Sequence, residues 1–128
     1  MAFQISGTAI VTDNRSFTQY GETLNSLGNT GATPTINIAN GNFVTATLNQ
    51  NATFTFTGAT NQVTSFTLYL ANDATAGRTI TWPASVRWSG GTVPSRTTTA
   101  SRADVYTFWT ANSGTTWFGS LAQFNYVA

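Results

Sequence analysis

Apolar and polar residues alternate with a period of two along most of the chain, which is the pattern of half-buried β-strands. In residues 53–57, two phenylalanines fall on one face and three threonines on the other. The same alternation recurs in residues 35–39, 65–70 and 78–82. Residues 104–110 differ, because bulky side chains occupy both faces. We expect this strand to be covered on both sides or to lie at an interface.

These segments predict an all-β fold, a β-sandwich or jelly roll of about eight short antiparallel strands. Turn residues separate the strands, and Asn40 followed by Gly41 is typical of a two-residue hairpin loop. Pro83 should end or bend the strand that carries Trp82, since proline offers no N–H to a neighbouring strand. We place the strands near residues 3–11, 35–39, 43–48, 52–57, 63–70, 78–88, 104–110 and 115–121.

Residues 12–34 lack this clear alternation. The best helical candidate, residues 16–27, has apolar positions three and four apart but is weakened by threonine and glycine. We therefore expect no helix longer than about two turns. We divide the chain into an extended N-terminal segment with a hinge, residues 1–34, and a β-sandwich domain, residues 35–128. Residues 1–28 either form an edge strand and loop of the same domain or reach a neighbouring subunit as an arm.

Charged residues make up only 7% of the chain, with five arginines, four carboxylates and no lysine, histidine or cysteine. An ordinary soluble domain has about 25% charged residues. This balanced set cannot form the dense basic surface that nucleic-acid binding needs. No apolar run approaches the roughly 20 residues of a transmembrane helix, and no secretory signal is visible. We expect neither a nucleic-acid partner nor a membrane partner.

Groups that support catalysis are scarce. The four carboxylates, Asp13, Glu22, Asp73 and Asp104, are far apart in sequence, and no histidine, lysine or cysteine can serve as base or nucleophile. We expect no catalytic residue, no cofactor and no bound metal. Asn72 and Asp73 could ligate Ca²⁺, but one carboxylate in a loop makes a weak site. An Asx turn capped by its own side chain accounts for the pair.

The four tryptophans invite two interpretations, because an indole ring can stack on a sugar or pack in a core. Trp82 and Trp109 fall on alternating positions of their strands, so we expect both to be buried in the core. Trp88 precedes a Ser-Gly-Gly sequence and either packs against the fold or lies at a surface or interface.

The order of several motifs resembles a small β-module found in structural proteins of tailed bacteriophages, especially phages of cyanobacteria. The resemblance spans residues 35–121, about two-thirds of the chain. Related sequences usually have a proline at the position of Ser89, so the resemblance does not fix the shape of the loop after Trp88. The motifs lie at residues 38–43 (IANGNF), 48–56 (LNQNATFTF), 66–70 (FTLYL), 80–94 (ITWPASVRWSGGTVP), 104–110 (DVYTFWT) and 114–119 (GTTWFG).

The resemblance implies a non-enzymatic role in the virion, after synthesis in the host cytoplasm. Because the chain is little more than the module, it resembles a capsid decoration, or cement, protein. Such a protein binds the major capsid protein and stabilises the head exterior by mass action. The alternative is a tail fibre, tail-tip or spike component that contacts the host, with surface glycans as possible ligands. Modules of this kind also imply a homotrimer.

A subunit or capsid interface should use bulky residues that one core cannot hold, together with arginines. Arginine suits interfaces because its planar fork pairs with carboxylates, here Asp73 or Asp104 of a neighbour. The arginines could equally be ordinary solubilising charges. The candidate interface residues are Phe17, Tyr20, Leu24, Leu27, Arg87, Trp88, Arg96, Arg102, Tyr106 and Phe118.

Overall fold

The computed structural model describes residues 3–5, 8–11 and 22–128. These residues contain no α-helix, only two short 3-10 turns at Ile38–Asn40 and Ser89–Gly91, which confirms the all-β prediction. Their strands are β1 (Phe3–Ile5), β2 (Thr8–Val11), β3 (Leu24–Asn29), β4 (Thr35–Asn37), β5 (Phe43–Leu48), β6 (Ala52–Thr53), β7 (Thr55–Thr57), β8 (Thr64–Asn72), β9 (Ile80–Thr81), β10 (Val86–Trp88), β11 (Arg102–Thr110) and β12 (Trp117–Val127).

The larger layer is a six-stranded sheet with the order β10-β12-β11-β8-β5-β3. Its inward positions carry apolar side chains at every second residue, as the sequence pattern predicts. On β11 the inward positions are all buried, and they carry Asp104, Tyr106, Phe108 and Thr110. The opposite face of the sheet, called the outer face below, is formed by the alternate residues.

The smaller layer is built around residues 52–57, which comprise β6 and β7. β7 pairs with β4 on one side, and β6 pairs with β9 on the other. Two further backbone bonds extend these ladders, from Thr53 N to Ala32 O at 2.9 Å and from Phe54 N to Thr81 O at 2.9 Å. The two layers face each other across one core, which makes the molecule a β-sandwich.

Strand direction differs from the prediction, because five of the eight strand pairs in the described residues are parallel. Strand β5, residues 52–57 and strand β8 follow one another along the chain but alternate between the layers. When the chain leaves one layer, passes once through the other layer and returns, the two strands of the first layer run in the same direction. Jelly rolls are antiparallel, so these pairs do not form one. A period-two pattern reports which face is buried, not the direction of the strand.

The predicted hairpin at Asn40 and Gly41 is wrong, because β4 and β5 lie in different sheets. The Asn37 side chain instead accepts a hydrogen bond from Ala39 N at 3.1 Å and caps a 3-10 turn. Gly41 then has φ of 145°, and a Cβ there would lie 2.5 Å from Thr23 O. Glycine is needed at this position because the chain passes close to the backbone beside β3.

Aromatic rings fill the space between the layers. Phe54 of the smaller layer stacks on Trp82 with ring centroids 5.3 Å apart. Phe56 meets Phe66 and Trp117 edge-on at 5.1 and 5.8 Å. Such pairs add about 0.5–1.5 kcal/mol each beyond the area that they bury. The prediction that Trp82 packs in the core is confirmed.

The N-terminal part of the chain contributes β3 to one edge of the large sheet, parallel to β5. Leu27 of β3 packs against the core, and Asn25 donates to Asn37 O at 3.0 Å. Residues 24–27, the end of the weak helical candidate, are therefore strand, and they belong to the sandwich as its edge strand. The division at residue 34 stays a prediction, and residues 12–21 lie outside the described residues.

Candidate functional site

A stacked pair of exposed aromatic rings lies on the outer face of the large sheet. Trp109 of β11 faces Phe118 of β12 in the strand register, with ring centroids 4.4 Å apart and planes 22° apart. Trp109 is 49% exposed and Phe118 is 40% exposed. Arg87 flanks Phe118 across the β10–β12 pair, and Ser65 flanks Trp109 across the β8–β11 pair. We call these four residues the aromatic platform.

The position of Trp109 overturns the prediction that it packs in the core. Tyr106 and Phe108 of the same strand point inward and are each 1% exposed. Trp109 is one residue beyond Phe108, so its side chain lies on the opposite face of the sheet. Both faces of β11 carry bulky residues, as the sequence indicates, and the described residues bury only one of them.

Polar residues border the two aromatic rings of the platform, and among these residues only Arg87 is charged. In the next row of the sheet, Thr107 and Ser120 share a hydrogen bond of 2.7 Å between their hydroxyl groups. Arg87 donates from Nη1 to Ala84 O at 2.9 Å, which fixes its side chain beside Phe118. The guanidinium keeps further N–H donors beyond that bond. The platform therefore combines a flat apolar surface with adjacent hydrogen-bonding groups.

A second surface feature is a groove of about 470 Å³ beside the C-terminal half of β12. Strand β10 pairs only with residues 117–119 of β12, and residues 95–99 form the far wall of the groove beyond that point. Phe124, at the rim, is 69% exposed. The groove is open to solvent, and half of its eight lining residues carry a hydroxyl group.

A buried polar cluster holds residues 95–101 against the sheet. Asn72 is buried and donates from its amide to Thr97 O at 3.0 Å and to Thr99 O at 2.8 Å. Its carbonyl oxygen accepts from Arg96. Asp104 is also buried and accepts from Thr97 N at 2.8 Å. These bonds replace the secondary structure that this segment lacks, while Nε of Arg96 stays buried without a hydrogen-bond partner.

Tyr106 borders this cluster with a hydroxyl that has no hydrogen-bond partner. Burial raises the pKa of Tyr106 to about 12, and the charge of Asp104 contributes in the same direction. The Arg96 guanidinium offsets part of this effect. Tyr106 was a predicted interface residue, and the structure corrects this, because its side chain is 1% exposed within its own chain.

The four arginines between residues 78 and 102 do not form one patch. Arg78 donates to Asp73 Oδ2 at 2.9 Å, and Arg96 donates to Arg78 O at 2.8 Å, so both are bound within the chain. The Arg78 hydrogen bond and the Thr75 N–H together lower the pKa of Asp73. Asp73 accepts from Thr75 N at 2.9 Å, which confirms the predicted Asx turn. Arg102 is half-buried at the start of β11.

The remaining predicted interface residues are spread over the molecule. Leu24 is 60% exposed on the β3 edge, whereas Leu27 and Trp88 pack against the core. Arg87 and Phe118 lie together on the outer face, in the aromatic platform, whereas Trp88 meets Tyr106 inside the core with ring centroids 6.4 Å apart. Phe17 and Tyr20 lie outside the described residues.

Within the described ranges, no group of three His, Cys, Asp or Glu side chains is placed to hold a metal ion. No helix among those residues has the length and hydrophobicity to cross a membrane.

Comparison with protein families identifies the class of the molecule. The profile of the family "Putative phage tail fibre C-terminal domain" matches residues 32–117. The match covers both layers of the sandwich, and the chain belongs to this family. It is therefore a phage structural protein of the virion, which confirms that part of the sequence-based interpretation. No curated protein and no solved structure is significantly similar to the chain.

The sequence alone missed the pairing of Trp109 with Phe118. Both residues stand out as aromatic, but their contact depends on the register of β11 against β12, which shifts twice between Ala103 and Tyr106. A signal was present nonetheless. Two adjacent strands with bulky residues on both faces imply an aromatic cluster on the outer face, whichever register forms.

Proposed function

We propose that this chain is a non-enzymatic domain of a phage tail fibre, and that it contacts the surface of the host cell. The family match over residues 32–117 carries the proposal, because it relates the sandwich to tail fibre C-terminal domains. A capsid decoration role, to which the sequence first pointed, has no comparable support. The family match favours the tail over the head.

The outer face of the large sheet supports a contact role. A rigid sheet face is a precise platform for binding because packing from below locks its side chains. Trp109 and Phe118 present about half of their surface to solvent, which is unusual for paired large aromatic residues of a monomeric domain. Exposed aromatic residues beside an arginine are typical of contact surfaces.

The location of the protein on the particle tests the proposal. Antibodies against the purified chain are bound to intact particles, and gold labels are mapped by electron microscopy. We expect label at the tail, with a copy number in the range of a fibre rather than of a head lattice. Label spread over the head, with hundreds of copies per particle by quantitative mass spectrometry, would mean a decoration protein and would overturn the proposal.

A competition assay tests the contact with the host. Purified chain is added to cells before the phage, and the adsorption rate of the particles is measured. We expect slower adsorption with increasing protein, because occupied receptors are withdrawn from the phage. Serum albumin at the same concentration serves as the control. Unchanged adsorption at saturating protein would place the receptor contact in another part of the fibre.

A further inference from the structure

We infer that the aromatic platform is a saccharide-binding site, with Trp109 as its stacking residue. The inference rests on the proposed contact with the host surface and names its chemistry. No part of the family match or of the sequence pattern assigns a ligand to these residues.

The geometry leaves one face of the indole available. Phe118 covers one face of Trp109 at 4.4 Å and holds the ring upright on the sheet. The position across the strand pair on the other side is Ser65, which is small and exposed. Neighbouring side chains across a sheet are about 5 Å apart at Cβ, so a serine leaves space beside the ring.

A sugar ring matches this surface better than other small ligands do. The C–H groups on one face of a pyranose are apolar and slightly positive, which suits the negative face of an aromatic ring. Its hydroxyl groups then need donors and acceptors around the rim. Ser65 lies beside the free face of the indole, and Thr107 lies in the next row of the same strand, so both offer hydroxyls that donate and accept. Arg87 lies on the opposite side of the ring pair, beyond Phe118, so its N–H donors reach only a saccharide that extends over both rings. A phosphate or a nucleic acid would need more than one cation here.

The size of the apolar surface argues against a second copy of the chain as the occupant. A stable protein interface buries about 800 Å² on each partner, around an apolar centre. Two aromatic rings that are about half exposed offer on the order of 200 Å². Arg87 and Ser65 across the sheet, and Thr107 and Ser120 in the next row, limit this area in those directions. It is close to the footprint of one or two sugar residues.

The test measures binding of the purified full chain to an array of immobilised bacterial surface oligosaccharides. The strongest binder is then titrated in solution by calorimetry. We expect Trp109→Ala to weaken binding at least about tenfold, because the stacking surface is lost. Trp109→Phe should retain part of the affinity, since it keeps a ring. Phe118→Ala should weaken binding less than Trp109→Ala, because it removes only the support of the indole.

Phe124→Ala is the matched control. Phe124 lies on the same strand as Phe118 and is more exposed, but it lies outside the aromatic platform. We expect this variant to bind like the unchanged chain. Thermal unfolding of every variant shows whether the fold is retained, and Trp109→Phe provides a folded variant should Trp109→Ala lose structure.

Three results would overturn the inference. One is the absence of retention on any oligosaccharide of the array. Another is binding that Trp109→Ala and Phe118→Ala leave unchanged. The third is a loss of self-association in those variants without any saccharide binding, which would make the platform an interface between copies. Each of these results leaves the proposed tail location standing, because gold labelling measures it independently. Label on the head would overturn the proposed function and not the binding site.

Discussion

Gly119 shows how one residue sets the packing between two strands. It lies on β12 opposite Phe108, and a Cβ at this position would lie 2.8 Å from the Trp88 ring and 2.9 Å from the Phe108 ring. Both rings belong to the packed interior and cannot move freely. Glycine is thus required by close contact with aromatic rings, and not by its backbone angles.

We expect Gly119→Ala to destabilise the fold by about 1–3 kcal/mol, as overpacking of a core usually does. Urea unfolding followed by tryptophan fluorescence measures the change. Ala122→Val adds more atoms at an exposed position of the same strand and should change stability by less than about 0.5 kcal/mol. Equal effects of the two substitutions would mean that the strand, and not the ring contact, is sensitive to added bulk.

Tyr106 makes the fold sensitive to alkaline pH. The unfolded tyrosine loses its proton near pH 10, whereas the folded one keeps it to about pH 12. The folded state therefore binds more protons in this range, and stability falls as pH rises from 10 to 12. The shift corresponds to about 3 kcal/mol, fully present below pH 10 and lost above pH 12.

We expect Tyr106→Phe to remove this alkaline loss and to leave stability at pH 7 unchanged or higher. The hydroxyl has no hydrogen-bond partner in good geometry, and Arg96 is the smallest influence on its pKa, so its removal costs little and relieves the burial of a polar group. Denaturant unfolding at several pH values between 7 and 12 provides the comparison, with Tyr69→Phe as the control. A marked loss of stability at pH 7 would contradict the isolated position of the hydroxyl.

At the scale of elements, two buried side chains hold residues 95–101 and the end of β12 in place. Asp104 accepts from Thr97 N at 2.8 Å and from Asn125 N at 3.0 Å. Asp104 thereby joins residues 95–101, which lack regular secondary structure, to an irregular point of β12, where Asn125 has φ of 66°. Asn72 completes the attachment from β8. The walls of the groove beside β12 depend on these bonds.

We expect Asp104→Ala to cost about 2–4 kcal/mol, because two backbone N–H groups lose a charged acceptor. Asp104→Asn keeps the shape and one acceptor, and should cost less. Hydrogen exchange at the amides of Thr97 and Asn125 should accelerate in both variants, while amides of β5 should change only with global stability. Unaltered exchange at Thr97 would show that other contacts hold the segment.

Most strands were predictable, whereas their directions and pairings were not. The alternation around Phe54 and Phe56 correctly assigns these rings to the core, because burial of one face is a local property of the strand. The direction of β5 against β8 depends on a chain crossing between layers, which no local pattern records. The burial of Trp109 was mispredicted for a related reason. Its strand has two bulky faces, and only the packing of the second layer decides which is covered.

At the scale of the whole molecule, the two edges of the large sheet differ. One edge is β3, which pairs only with β5. The other edge is the short strand β10 and, beyond residue 119, the C-terminal half of β12. That half of β12 has no charged side chain and includes the exposed Phe124 and Tyr126. Uncharged, apolar edge strands tend to pair with another chain. We therefore keep the proposal of a homotrimer, with these edges and the N-terminal segment as its contact regions.

Two N-terminal deletions separate the role of β3 from that of the residues before it. Deletion of residues 1–21 keeps β3, so we expect this chain to stay folded, with an unfolding midpoint that does not depend on protein concentration as that of a trimer does. It should sediment as a monomer, because Phe17 and Tyr20 are lost from the predicted contact. Deletion of residues 1–29 also removes β3 and the packing of Leu27, and should cost about 2 kcal/mol.

Analytical ultracentrifugation and urea unfolding distinguish these outcomes. A full chain that sediments as a monomer would defeat the trimer proposal outright. A trimer that survives deletion of residues 1–21 would exclude the N-terminal arm as the contact and would favour the uncharged edge of β12. Phe124→Asp should then dissociate the trimer, because a buried carboxylate without a partner is strongly unfavourable. Full stability without residues 1–29 would mean that β5 can serve as the edge of the sheet, in conflict with the contacts that β3 makes.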